Sequence, residues 1–226
     1  MLVQGAVAEK SERQVAAGDA VVVRPPPARF VSRGGEKLDA ALTTFAVDPA
    51  GLVVLDAGAS TGGFTDCVLQ RGAARVHAVD VGYGQLHERV AGDPRVHRLD
   101  RTNVRHLDAA ALGGPVDLVV ADLSFISLRT VLGPLLALCR PGADLVLLVK
   151  PQFEAPRHEA DRGRGVITDP AVRQRALDDV IAAAVREGGI IMGTMTSPLT
   201  GTDGNVELLL HLRAPAVPTR APGGEA

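Results

Sequence analysis

Only three of the 24 basic residues in this 226-residue chain are lysines, Lys10, Lys37 and Lys150, and the rest are arginines. A guanidinium stays protonated to about pH 12 and beyond, whereas an ammonium taken out of water can lose its proton near neutrality and act as a base. Lys150 closes the apolar run Leu145 to Val149, where that chemistry could operate. Asp122 stands at the end of a second such run, Val116 to Ala121, and Glu207 interrupts an apolar segment in which a carboxylate needs a partner. If Asp122 and Lys150 close adjacent parallel strands, they meet at one mouth. The aspartate raises the lysine pKa there, and burial beside a second cation lowers it. Lys37 is the candidate second cation, provided that a helix over residues 35–46 packs across the same edge. An ordinary salt bridge is the alternative for each of the four.

A glycine-rich stretch precedes these residues. Leu52 to Phe64 reads as a buried strand, a turn carrying Asp56, Gly58, Ser60, Gly62 and Gly63, and a helix opening at Phe64. Glycine lets a backbone approach a ligand closely, and a helix N-terminus presents free N–H groups. This suits a dinucleotide or S-adenosylmethionine. The spacing departs from G-x-G-x-x-G, and D-x-G-x-x-x-G from Asp56 to Gly62 fits the amino-acid end of S-adenosylmethionine better; a tight turn without ligand is the plain alternative. Asp80 ends the second strand, where an acid accepts hydrogen bonds from a ribose diol, and Asp100 ends the third, placed to meet an adenine amino group. Either could instead cap the turn that follows.

The elements that must position these groups follow from periodicity. Apolar runs alternate with helical patterns from residue 51 onward, the sign of an α/β fold with a parallel sheet wrapped by helices. Strands are predicted at 52–56, 75–80, 95–99, 116–122, 143–149, 190–196 and 205–212, with helices near 35–46, 63–72, 85–91, 128–139 and 170–187. Gly201 to Gly204 marks a tight turn between the last two strands, so that the final strand of a seven-stranded sheet runs antiparallel to the others. Residues 1–23 read as two or three short strands without a core. Residues 24–30 form a proline-rich linker, 31–213 the main domain and 214–226 a disordered tail.

Bulk properties bound the partners. A hydrophobic content of 46% can fill a core, and a net charge of −2 requires any nucleic acid to be held by a local patch rather than a basic footprint. Cys67 and Cys139 lack metal-ligand or C-x-x-C spacing and read as buried structural thiols, and no metal site is expected. The N-terminus lacks a signal pattern and no apolar run approaches the length that spans a bilayer, which predicts a cytoplasmic protein without a membrane partner.

Six ordered motifs carry a resemblance: Val31–Leu38, Gly58–Thr65, Asp80–Leu86, Arg101–Arg105, Asp122–Ser127 and Lys150–Glu154. Over roughly residues 30–213 they resemble the TlyA family, which joins a small ribosomal-protein-like (S4-like) RNA-binding domain to an FtsJ-like methyltransferase. The resemblance implies a Rossmann-like class I S-adenosylmethionine-dependent fold and methylation of a ribose 2′-hydroxyl of ribosomal RNA, at cytidine, with ribosomal RNA or subunits as partner. A Lys-Asp-Lys-Glu tetrad falls on Lys37, Asp122, Lys150 and Glu207, and cofactor contacts fall on Gly62, Phe64, Asp80, Asp100 and Asp122. Residues 1–23 then correspond to a remnant of the RNA-binding domain, without two helices that open it in the family. The mechanism expected is in-line displacement with Lys150 as general base. The loop from Pro151 to Thr168 is expected to cover the entrance, with Arg157, Arg162 and Arg164 meeting phosphates. Competing readings are a small-molecule O-methyltransferase, a membrane-acting hemolysin, a name carried in this family, and a nicotinamide-linked dehydrogenase.

Overall fold

A computed structural model describes residues 2–4, 6–8, 14–22, 28–156, 158–159 and 163–216. Lys10, most of the predicted linker, Arg157, Arg162 and residues 217–226 lie outside that set. Short strands β1 (Leu2–Val3), β2 (Ala6–Val7) and β3 (Val21–Val22) pair antiparallel in the order β2-β1-β3.

The valine- and leucine-rich runs form the main sheet: β4 (Val53–Ala57), β5 (Arg75–Val79), β6 (Val96–Leu99), β7 (Val116–Ala121), β8 (Cys139–Val149), β9 (Ile190–Thr196) and β10 (Leu208–Arg213). Their order is β6-β5-β4-β7-β8-β10-β9. The strands from β6 to β8 pair in parallel, and β10 runs antiparallel between β8 and β9. The expected seven-stranded sheet with one antiparallel strand is therefore present, with the last strand inserted one place in from the edge.

Side-chain alternation divides the core in two, because successive strand residues face opposite sides. Val54, Val76, Leu118, Val120, Val146, Leu148 and Leu209 pack beneath α1 (Gly34–Thr44) and α2 (Gly63–Gln70). Leu55, Val79, Val119, Leu145, Leu147 and Leu210 face the opposite layer, where α4 (Leu132–Ala137) and α6 (Pro170–Arg186) lie. The one-turn helices α3 (Glu88–Ala91) and α5 (Pro151–Glu154) complete the set. Both faces are covered, so the central strands are apolar on both sides, as parallel sheets require.

Several elements differ from expectation: the helix predicted near 85–91 keeps only Glu88–Ala91, and the last strand starts at Leu208 rather than at residue 205. The helix predicted at 128–139 divides into a 3₁₀ turn at Leu128–Thr130 and the short α4, in whose first turn Pro134 needs no N–H partner. Strand β8 begins at Cys139 rather than at residue 143, through a bulge: Val116 pairs with Cys139 but Leu118 pairs with Asp144, and Gly142 supplies a φ of +77°. Cys139 is thus half-buried at a strand end, where its thiol donates to the Leu135 carbonyl, while Cys67 is buried in α2. Burial pushes both thiols up to about 12, as suits structural cysteines.

Leu118 is fully buried at the centre of β7 beneath α1 and α2. Leu118→Ala is expected to lower unfolding free energy by about 2–5 kcal/mol, read from the urea midpoint at unchanged slope.

Candidate active site

Parallel register sets the site. Asp56 and Ala57 of β4 lie opposite Val120 and Ala121 of β7, and Ala121 lies opposite Leu147 of β8, so the chain leaves these strands at one edge. The ladder continues into the loops: Asp122 donates its N–H to the Ala57 carbonyl, and Gly58 donates to the Val79 carbonyl. Asp122 and Lys150, the residues after β7 and β8, meet there with Lys150 Nζ 2.6 Å from Asp122 Oδ1. That contact is an ion pair off the hydrogen-bond axis, whereas Lys150 Nζ donates a well-formed bond to Ser124 Oγ at 2.9 Å.

Lys37 reaches the same place from α1. A Cβ on Gly63 would lie 2.1 Å from Ser32 Oγ and 3.0 Å from the Gly35 nitrogen, so the glycine lets the starts of α1 and α2 pack backbone against backbone. This brings α1 over the sheet edge, as the sequence required. Lys37 Nζ then meets Glu207 Oε2 at 2.5 Å, with side chains only 8% and 3% exposed. Glu207 precedes β10, and its carboxylate occupies the space that a Cβ on Gly201 would need. In a pair this far from water, each charge offsets the desolvation cost of the other.

All four charged residues line one cavity of about 460 Å³, together with Arg33 and the loop from Gly58 to Thr61. A second cavity of about 400 Å³ adjoins it, sharing Gly58, Ser60, Asp122 and Ser124. Its walls are mainly apolar, from Val79, Val81, Leu123, Ile126 and Val131, with Asp80, Gln85 and Asn103 as polar points. Between the cavities, Gly58 has φ +84°, and a Cβ there would lie 2.6 Å from the Asp122 carbonyl. Gly62, at φ +93°, turns the loop into α2.

The cofactor candidates divide. Gly58, Ser60, Gly63, Phe64, Asp80 and Asp122 line one cavity or both. Asp80 accepts from the Ser60 and Gly82 N–H groups at 2.9 and 2.7 Å, which leaves carboxylate lone pairs for a ligand. Asp100 turns elsewhere, accepting from the Gly84 N–H at 3.0 Å and pairing with Arg98 at 3.3 Å, and it lines neither cavity. Asp56 is fully buried beneath the loop, where Oδ2 accepts from Thr65 Oγ1 at 2.6 Å and Oδ1 is without a partner. Burial, aided by the nearby Asp122 and Asp80 charges, raises its carboxyl to about 7 against the Thr65 hydrogen bonds. The sequence reading passed over Ser124, Gln85 and Asn103 as individual site residues. Their only signal was membership of the motifs quoted above, since strand periodicity says nothing about a side chain in a loop.

Of the loop arginines, Arg164 lines neither cavity, and Arg157 and Arg162 fall outside the described residues. Among the described residues, no cluster of His, Cys, Asp and Glu could hold a metal ion, and no helix is long and apolar enough to cross a membrane.

Comparison with known proteins gives this geometry its relatives. The FtsJ-like methyltransferase family matches residues 30–214. A Mycobacterium tuberculosis protein named 16S/23S rRNA (cytidine-2′-O)-methyltransferase TlyA is 53% identical over 192 residues, covering 85% of this chain and 71% of that one. A crystal structure from Lactococcus lactis, titled as a hemolysin, superposes with a TM-score of 0.81 at 41% identity, over 83% of this chain and 90% of that one. The N-methyltransferase NodS of Bradyrhizobium japonicum shares the fold alone, with a TM-score of 0.58 at 18% identity over 81% and 98% of the two chains. The strand order and single antiparallel strand are those of the class I S-adenosylmethionine-dependent methyltransferases.

The state of Asp56 has a measurable consequence. With its carboxyl raised from 3.8 to about 7, the native protein holds more protons than the unfolded chain across that interval, so stability falls as pH rises through it. Between pH 4 and 7, wild type is expected to lose up to a few kcal/mol of unfolding free energy from this group, and Asp56→Asn to lose less over the same range. Denaturant unfolding at several pH values measures both slopes, and equal slopes would contradict the assignment.

Proposed function

The chain belongs to the FtsJ-like methyltransferase family, and from that premise we propose that it transfers a methyl group from S-adenosylmethionine to a ribose 2′-hydroxyl of ribosomal RNA, at cytidine. The observation that carries this reading is the meeting of Lys150–Asp122 and Lys37–Glu207 in one cavity that opens onto a second, mainly apolar one.

The apolar cavity fits S-adenosylmethionine by its chemistry. Its walls suit an adenine ring, Asp80 suits the ribose hydroxyls, and the missing Cβ of Gly58 lets the loop lie against the Asp122 carbonyl, beside the place of the amino-acid end. Since Asp100 is engaged with Gly84 and Arg98, the adenine edge falls to Gln85 and Asn103 in this reading. When bound, S-adenosylmethionine supplies an electrophilic methyl on a positively charged sulfur.

The residues of the second cavity prepare the nucleophile. A neutral lysine amine has two N–H bonds and one lone pair. Once the Lys150 ammonium has given up a proton, the amine keeps its N–H bond to Ser124 Oγ beside the Asp122 carboxylate, and its lone pair takes the 2′-hydroxyl proton as the oxygen attacks. Asp122 thereby fixes the direction of the amine, and the electropositive end of Lys37, held by Glu207, orients the ribose oxygens. Methyl transfer, proton capture and departure of the neutral thioether balance without a metal.

Lys150→Arg keeps the charge and cannot serve as base. It is expected to lower kcat on ribosomal subunits by about 10²- to 10⁴-fold, with S-adenosylmethionine affinity by calorimetry little changed. A full methylation rate in this variant would overturn the mechanism. Gly58→Ala should do the opposite in kind, weakening S-adenosylmethionine binding by about tenfold or more because its methyl group meets the Asp122 carbonyl at a positive φ.

A further inference from the structure

The sheet fixes where Asp122 and Lys150 leave β7 and β8, but not the course of the two segments that follow them, one of which carries Ser124. One buried side chain joins those segments. Glu154, the last residue of α5, is 3% exposed. Its Oε1 accepts from the Leu128 N–H at 2.6 Å, and its Oε2 accepts from Ser127 Oγ at 2.5 Å. Arg129 pairs with Oε2 at 3.4 Å and donates to the Glu154 carbonyl at 3.0 Å.

The two ends of this clasp are informative. Glu154 belongs to the single helical turn that starts at Pro151, directly after Lys150. Ser127 and Leu128 close the segment that starts at Asp122 and includes Ser124, the hydrogen-bond partner of Lys150. Within that segment Phe125 holds a φ of +63°, a conformation unfavourable for a side chain of its size, while its ring rests 5.3 Å from that of Phe153. A strained loop persists when its surroundings over-determine it, and the carboxylate that grips both Ser127 and Leu128 does so here. A fixed carboxylate with three partners is also a costly thing to bury for fold stability alone.

We infer that Glu154 is a positioning residue, which sets the distance and direction between Lys150 and the Asp122–Ser124 segment by bolting α5 to the turn at Ser127–Leu128. The inference rests on the proposed role of Lys150, but not on the identity of the RNA. Glu154 touches neither cavity, so it acts through the pair and not on substrate.

The test combines exchange with kinetics. In Glu154→Ala, amide hydrogen exchange over residues 122–130 is expected to speed up about tenfold or more, while the β4 and β5 amides keep wild-type protection. The kcat should fall about 10- to 100-fold, with KM for RNA and the dissociation constant for S-adenosylmethionine within about threefold of wild type. Glu154→Gln keeps the size and one acceptor and should recover most of the rate. Added to Lys150→Arg, Glu154→Ala should cost little more, because the group it positions is already gone; a general structural defect would lower the residual rate again. Should Glu154→Ala fail to fold, Ser127→Ala removes one arm of the clasp and decides by the same two measurements. Unchanged exchange and a wild-type kcat in a folded variant overturn the inference. If Lys150→Arg is also fully active, the reading of Lys150 as base has failed instead, and exchange alone then judges the clasp.

Discussion

A buried ion pair between residues 170 positions apart governs this molecule, since Lys37 and Glu207 lie far from water and each is the other's charged partner. Taking one such charge out of water costs several kcal/mol, and removing a partner leaves that cost uncompensated. The packing of α1 over the sheet edge, the glycines that permit it and the tight approach at Gly201 are all conditions for the two to meet.

The same logic explains what could be read from the residues alone. Glu207 stood out as an acid among apolar neighbours, which is a demand for a partner, and Lys37 met it. The strands were legible because a sheet covered on both faces needs unbroken apolar runs. Helix α6 was legible because its Pro170 start and 17-residue amphipathic pattern agree. The start of β8 was hidden because Arg140-Pro141-Gly142 looks like a loop, and only pairing across the bulge makes Cys139 part of a strand. Asp100 sat correctly at a strand end but turned toward Gly84 and Arg98, a choice set by loop geometry that no spacing rule contains. Glu154 gave no such signal: it lies in a polar, charged stretch, and its burial could not be inferred without the turn it grips.

Asp56 illustrates a different economy. It lies near the end of β4, just before the glycine-rich loop, where it holds α2 through Thr65 and does not line a cavity. The protein tolerates a half-satisfied carboxyl in its centre because burial raises it to about 7, so that much of the population is neutral near physiological pH.

The place of β10 bears on how the chain is made. Because this last strand fills the gap between β8 and β9 rather than adding at the margin, a chain emerging from the ribosome holds a sheet with an open slot until Leu208–Arg213 arrive. Until then the apolar backbone edge of Leu145–Val149 has no partner on that side, the kind of exposed edge that recruits other chains. Glu207 enters with the same segment, so closing the slot and neutralising Lys37 are one event. A chain that stops before this segment would therefore leave that edge open and Lys37 without its carboxylate partner, and completion of the sheet doubles as the step that assembles the charged site.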